Sequence, residues 1–362
     1  MQFFIAVSIS FIITFVCIPL IIYISNSINL LDKPDSRKIH MVGKPSLGGI
    51  PITCAMLITL IITLPFNEIS QLKFLLAGIC LTFILGIRDD VSSLHAFQKL
   101  IVQLLASFLI VHFADIRITS LQGLLGLESL NTFFSKSVSM LIIISLTNAY
   151  NLIDGIDGLA GSIALIILSF FGVSFFLMED FTYSLLSIIL ASGIVAFLYF
   201  NWFPSKIFMG DTGSMVIGFV LSCLVIKFIE IIPSSNPVIS SPISVASALF
   251  ILPIFDTIRV MLIRILSRKS PFYPDKNHLH HFLLEIGLNH AMITITLFLF
   301  CLLTIAITIL IQDFEIHYIL AVQAIICLVA NYSLTLYLKK GSKKLKTSTH
   351  QGAKRMEISK SA

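Results

Sequence analysis

Residues 137–178 read SVSMLIIISLTNAYNLIDGIDGLAGSIALIILSFFGVSFFLM. Two apolar runs, near 137–153 and 159–178, flank a polar centre. A helix needs roughly 20 apolar residues to cross a bilayer, and each run is about that long. In lipid the backbone must satisfy its own hydrogen bonds, so helices are expected here and strands are not. The polar centre is the strongest local signal in the chain. Asn148, Asn151, Asp154 and Asp157 recur every third residue. On a continuous helix that spacing would align two amides and two carboxylates on one face. Gly155 and Gly158 would let a ligand or another backbone come close. A polar helix–helix contact is the plainer alternative.

Working outward, further apolar runs lie near 3–25, 48–65, 71–88, 99–114, 184–200, 215–232, 244–264, 291–312 and 316–338. With the first two they make eleven expected spans. Composition agrees: 57% of the 362 residues are hydrophobic and 12% are charged. Soluble chains carry about a quarter charged residues. The expected fold is all-α, a polytopic bundle in one domain over 1–338, with a basic, disordered cytoplasmic tail at 339–362. The run from Met1 to Tyr23 lacks a basic start and a cleavage site, so it reads as a retained span. No internal repeat is visible. All six cysteines sit in apolar runs without a CxxC pair, as buried small hydrophobes would.

The cations give the orientation. With the N-terminus periplasmic, one set of loops holds Lys33, Arg37, Lys38, Lys44, Arg88, Lys99, Lys206, Arg264, Arg268, Lys269 and Lys276, and the tail adds more. The opposite loops hold little beyond Lys73, Arg117 and Lys136. Positive charge marks the cytoplasmic side. Asp32, Asp35, Asp89, Asp90, Asp154, Asp157, Asp211 and Asp275 fall on that side too. Carboxylates are costly near a membrane and tend to be functional there. The net charge of +5 is modest and does not suggest nucleic acid.

Four further segments carry chemistry. The first loop, from Asp32 through Lys44 to Gly48-Gly49, offers cations for phosphate, or merely a topogenic anchor. Arg88-Asp89-Asp90 closes a span with two adjacent carboxylates that need a cation, a metal or a proton. Asn201 and then Met209-Gly210-Asp211-Thr212-Gly213-Ser214 precede another span. Free N–H groups and one carboxylate at a helix start would suit a magnesium-bound phosphate, or Asp211 or Ser214 would simply cap the helix. Asp275 to His281 brings His278, His280 and His281 together. No cysteine stands nearby, and carboxylate-rich surroundings favour magnesium over zinc. The imidazoles would bond phosphate oxygens or carry protons. Asp256, inside a span near Arg259, reads equally as an intramembrane ion pair or as a functional group.

These segments, in this order, resemble the polyprenyl-phosphate N-acetylhexosamine-1-phosphate transferase superfamily. The resemblance runs from Asp32 to His281. The stretch SPFYPDKNHLHH is similar to the WecA branch, whereas Leu279 interrupts the three consecutive histidines typical of the MraY branch. The resemblance implies transfer of N-acetylglucosamine-1-phosphate from UDP-N-acetylglucosamine to undecaprenyl phosphate, with UMP released. It implies magnesium, with manganese as a substitute, and a bacterial inner membrane location. It also implies the first membrane step of a surface polysaccharide such as O-antigen. By motif, Asp211 resembles the metal ligand, with Asp89 and Asp90 as the paired aspartates that position the lipid phosphate or the metal, or act as base. Asn148, Asn151, Asp154, Asp157 and Asn201 match the nucleotide-binding set, and His278, His280 and His281 would hold the diphosphate. Asp32 matches a loop aspartate of the WecA branch, Lys44 a loop lysine of MraY-like members, and Arg264 joins the substrate-binding group. A homodimer is compatible with these features, and neither direct attack nor a covalent aspartyl intermediate is selected. The rivals are a sister enzyme using another UDP-N-acetylhexosamine and, from another class, a transporter, which would place its charges mid-span.

Overall fold

The computed structural model describes residues 1–31, 43–232, 238–270 and 277–337. Asp32, Lys33, Arg37, Lys38, Asp275, Lys276 and the tail at 339–362 lie outside the described residues. The helices are α1 (Gln2–Ser27), α2 (Gly49–Thr63), α3 (Phe66–Val91), α4 (Ala96–Phe113), α5 (Thr132–Leu152), α6 (Leu159–Leu177), α7 (Phe181–Asn201), α8 (Gly210–Ile231), α9 (Pro242–Leu249), α10 (Ile251–Leu266), α11 (Leu279–Glu285), α12 (His290–Leu310) and α13 (Ile316–Tyr337). The described residues also hold a 3-10 turn at Leu124–Gly126 and an isolated bridge between Ser120 and Ser129.

Nine of these helices are long and apolar enough to cross a membrane: α1, α3 to α8, α12 and α13. The other two expected spans differ from expectation, and prolines explain both. α2 has 15 residues, about 22 Å at 1.5 Å per residue, less than the hydrocarbon thickness of roughly 30 Å. It stops because Pro65 forces Leu64 into the extended conformation, ψ 139°. The run 244–264 is split at Phe250 into α9 and α10. Pro253 has no N–H to donate to the carbonyl of Leu249, and its ring crowds that carbonyl.

α8 is the axis of the bundle. Every residue from Thr212 to Ile226 is buried. By contrast Ile12, Val16 and Leu20 of α1 and Leu328, Val329 and Tyr332 of α13 are exposed, an apolar surface that only lipid would solvate. Glycine lets α2 and α3 press against α8. A Cβ on Gly49 would overlap the backbone of Gly213, and one on Gly86 would overlap Thr212. The Gly48-Gly49 pair therefore serves helix packing. It is tied down by Gly48 N–H to Phe208 O at 3.0 Å, Gly49 N–H to Met209 O at 2.9 Å and Phe208 N–H to Pro45 O at 2.8 Å.

Overpacking a tight core costs about 1–3 kcal/mol. Gly49→Ala is therefore expected to lower the thermal unfolding midpoint of the detergent-purified protein by several degrees. An unchanged midpoint would show that α2 and α8 do not pack as described.

Candidate active site

The spans alternate in direction, so one end of the bundle collects the C-terminal ends of α3, α5 and α7 and the N-terminal ends of α4, α6 and α8. A cavity of about 480 Å³ opens there, within the size range of small-molecule sites. Asp89, Asp90, Asn151, Asp154, Asp157 and Asn201 reach its wall. Lys99, Asp211, His280 and His281 line it as well. Side chains from residues 89 to 281 thus meet at one place.

α8 begins at Gly210, whose φ of +73° suits glycine. Neither Asp211 nor Ser214 caps the helix locally. The cap comes from α3. Asp90 accepts the N–H of Asp211 at 2.8 Å on one oxygen, and the N–H and hydroxyl of Thr212 at 2.9 and 2.5 Å on the other. The N–H groups of Asp211 and Thr212, expected to be open for phosphate, are taken by this carboxylate. Both oxygens of Asp90 are accounted for as the anchor of α8.

Asp89 and Asp211 are left side by side, and Lys99 stands between them. Its ammonium pairs with Asp89 and lies 2.7 Å from Asp211. Asp89 also accepts the N–H of Leu94 at 2.6 Å. Asn151 donates to Asp211 at 3.0 Å and to Ser214 at 2.7 Å. Lys99 was legible in the sequence only as a topogenic cation. Its position at the start of a span, nine residues after Asp90, was the available signal.

The Asn148–Asp157 stripe does not form one helical face. α5 ends at Leu152, and Gly155 and Gly158 turn the chain into α6, Gly158 with φ +77°. Asn148 is drawn away from the cavity lining. Its amide pairs with Gln103 of α4, donating at 2.9 Å and accepting at 3.2 Å, a helix–helix contact. Gly155 makes room for His280, since a Cβ there would lie 2.8 Å from the imidazole Nε2. Asn201 clamps two turns, accepting from Gly158 N–H at 2.9 Å and donating to Ile207 O at 2.8 Å.

Asp154 and Asp157 are three residues apart and electrostatically opposite. Burial, and then the charges of Asp211, Asp90 and Asp157, raise the Asp154 carboxyl well above its ordinary range. Burial also works against ionised Asp157. His290, whose Nδ1 lies 3.4 Å from Oδ1 and accepts the Asp157 N–H at 3.3 Å, the Ser205 N–H at 3.1 Å and the charge of Lys44 outweigh it and hold Asp157 down at about 2. Lys44 itself donates to Ser205 at 2.9 Å, and its ammonium lies 4.0 Å from Asp157 and 5.1 Å from the centre of the Phe208 ring. His290 and Thr294 of α12 bracket the same turn, with the Thr294 hydroxyl donating to Asp157 O at 2.9 Å. Neither α12 residue stood out in the sequence, where both open an apolar run.

The histidines divide. His280 and His281 line the cavity, with ring centres 4.4 Å apart. Burial and then the neighbouring His281 push His280 down to about 3, so its imidazole is neutral. His278 lies behind them, bonded to Asp256. Arg264 is buried on α10 and is not part of the cavity lining.

Among the described residues no three His, Cys, Asp or Glu groups are grouped so as to hold a metal ion by themselves. Magnesium rarely asks for that, since it takes one or two carboxylates and fills its shell with water and substrate phosphates. Asp211 with Asp89 beside it meets this requirement. Burial first, and then the neighbouring carboxylates, raise the Asp154 carboxyl, so its charged form would gain from a cation placed nearby.

Comparison with known proteins places the chain in a family. A family model described as Glycosyl transferase family 4 matches residues 72–229. A probable undecaprenyl-phosphate N-acetylglucosaminyl 1-phosphate transferase of Bacillus subtilis (strain 168) is 30% identical over 301 residues, 82% of this chain and 81% of the relative. An undecaprenyl-phosphate alpha-N-acetylglucosaminyl 1-phosphate transferase of Yersinia pestis is 28% identical over 279 residues, 75% of this chain and 74% of the relative. A phospho-N-acetylmuramoyl-pentapeptide-transferase of Caldanaerobacter subterraneus subsp. tengcongensis is 33% identical over 205 residues, 51% of this chain and 62% of the relative. The chain belongs to glycosyl transferase family 4, the polyprenyl-phosphate N-acetylhexosamine-1-phosphate transferases, in its WecA-like branch.

Proposed function

We propose that the protein transfers N-acetylglucosamine-1-phosphate from UDP-N-acetylglucosamine to undecaprenyl phosphate. An oxygen of the lipid phosphate attacks the β-phosphorus of the nucleotide sugar. The bond from that phosphorus to the bridging oxygen breaks, and UMP leaves with the electron pair. The products are undecaprenyl-diphospho-N-acetylglucosamine and UMP. The observation that carries the reading is the convergence of Asp89, Asp154, Asp211, Lys99 and His280 on one cavity at the end of a membrane bundle.

The residues suit this reaction. Phosphoryl transfer depends on positioning and charge stabilisation more than on covalent chemistry. Magnesium, held by Asp211 with Asp89, would screen the diphosphate when bound. Lys99 places a cation between these carboxylates, where it can pass to an incoming phosphate oxygen. His280, neutral, offers a ring N–H to phosphate without competing for the cation. A phosphate monoester is already largely ionised near pH 7, so the lipid acceptor needs no strong base. Phe208, Asn201 and Asp157 line the flank available to the nucleotide, and Lys44 stands behind it, 4.0 Å from Asp157.

Orientation supports the same reading. Lys44, Arg88, Lys99 and Lys206 share the cavity end, while Lys73, Arg117 and Lys136 lie toward the other. By the positive-inside tendency the cavity faces the cytoplasm of a bacterial inner membrane, where a nucleotide sugar is found. The product would begin a surface polysaccharide. The carboxylates cluster at one end and do not line a path through the bundle, which disfavours transport.

Detergent-purified protein given UDP-N-acetylglucosamine and undecaprenyl phosphate is expected to release UMP. Release with other UDP-N-acetylhexosamines alone would move the assignment to a sister enzyme, and release with none would refute it. Chelation with EDTA should abolish turnover and added magnesium should restore it. Asp211→Ala should lower kcat by at least about 100-fold while the protein stays folded. Lys99→Met should lose about 10- to 1000-fold in kcat/KM, in the range for removing one preorganised electrostatic partner. Turnover near the wild-type rate in the folded Lys99→Met variant would remove Lys99 from the mechanism.

A further inference from the structure

We infer that Asp256 is a positioning residue that sets the proton pattern of His278 and so aligns the histidines facing the cavity. The inference rests on the transferase reading above. Asp256 lies on α10, outside the cavity lining and 2% exposed. Its Oδ2 is 2.7 Å from Nδ1 of His278, and its Oδ1 accepts the N–H of Leu279 at 2.8 Å. A helix cap alone would explain the second contact and not the first.

An ionised carboxylate only accepts hydrogen bonds, so the bonded Nδ1 of His278 must carry the proton. In the neutral ring this leaves Nε2 with its lone pair. Arg259, 3.7 Å from Oδ1, already balances the carboxylate, so His278 need not be cationic to compensate it. Arg259 also donates to Asn277 O at 2.5 Å and to Asn331 of α13 at 2.7 Å, and stacks 4.5 Å from the centre of Phe282. The residues on both sides of His278 are thus held from α10, Asn277 by Arg259 and Leu279 by Asp256. The His278 ring lies parallel to His280, 5.6 Å between centres and 8° between planes. His280 fits over Gly155 in the cavity wall. Fixing His278 therefore fixes the platform on which His280 stands.

Two substitutions separate this role from simple packing. Asp256→Asn keeps the shape and an acceptor for Leu279 N–H, but its amide donates to Nδ1 and drives the ring proton to Nε2. Asp256→Glu keeps the carboxylate on an arm one methylene longer. UMP release from UDP-N-acetylglucosamine and undecaprenyl phosphate should give kcat in the order wild type, Glu, Asn. The Asn variant is expected to lose about 10- to 100-fold, the usual effect of removing a partner that orients a functional imidazole. KM for the nucleotide sugar should stay within about threefold, as for a group acting in the transition state. Thermal unfolding should show both variants folded. Packing alone predicts the reverse order, with the near-isosteric Asn above Glu, and that order overturns the inference. So would wild-type turnover by Asp256→Asn, or its failure to fold. The wild-type rate tests the transferase reading, and the order of the variants tests this one.

Discussion

The carboxylate of Asp90 on the first turn of α8 is the contact on which the site depends. A helix start leaves N–H groups unpaired and carries partial positive charge. Here those groups are satisfied by a residue 121 positions away, at the end of another span. Hydrogen bonds in a poorly solvated place are strong and directional. They weld the end of α3 to the start of α8. The neighbours of that weld, Asp89 and Asp211, then have no choice but to face one another across Lys99. Gly49 and Gly86 complete the joint by letting α2 and α3 close on α8 without side chains between.

Much of this architecture is legible in the amino-acid sequence. The apolar runs locate every long helix, because lipid demands both length and internally bonded backbone. The polar segments of Asp89, Asn151, Asp154, Asp211 and His280 stand out because packing gives no reason for them in so apolar a chain. What the sequence hides depends on partners distant along it. Asp90 and Asp89 look identical in the dipeptide, and only α8 separates their roles. Asn148 and Asn151 look identical in the stripe, and only Gln103 on α4 separates them. Pro253 splits one expected span into α9 and α10, and that split carries Asp256 to the histidine segment.

The electrostatics follow the same division. The cavity has an acidic side, where Asp154 is buried among like charges, and a compensated side, where Asp157 is held ionised by His290, Ser205 and Lys44. Three residues of sequence separate the two carboxylates, and a turn made by Gly155 and Gly158 points them into different surroundings. A cation is in demand on the first side and already supplied on the second. One cavity thus presents two different surroundings, an acidic wall that would suit a bound cation and a flank of fixed polar contacts.

Parity of the bundle is the remaining constraint. Asp89 and Asn151 end spans that run toward the cavity, whereas Lys99 and Asp211 begin spans that run away from it. Adding or removing one crossing between α3 and α8 would send half of these groups to the far side of the membrane, about 30 Å away. No change of side-chain rotamer could recover them. The order of polar segments along the chain is therefore inseparable from the number of crossings between them. A reaction between a membrane-bound phosphate and a water-soluble one requires that arrangement, because its reactants meet only at the surface where these helix ends lie.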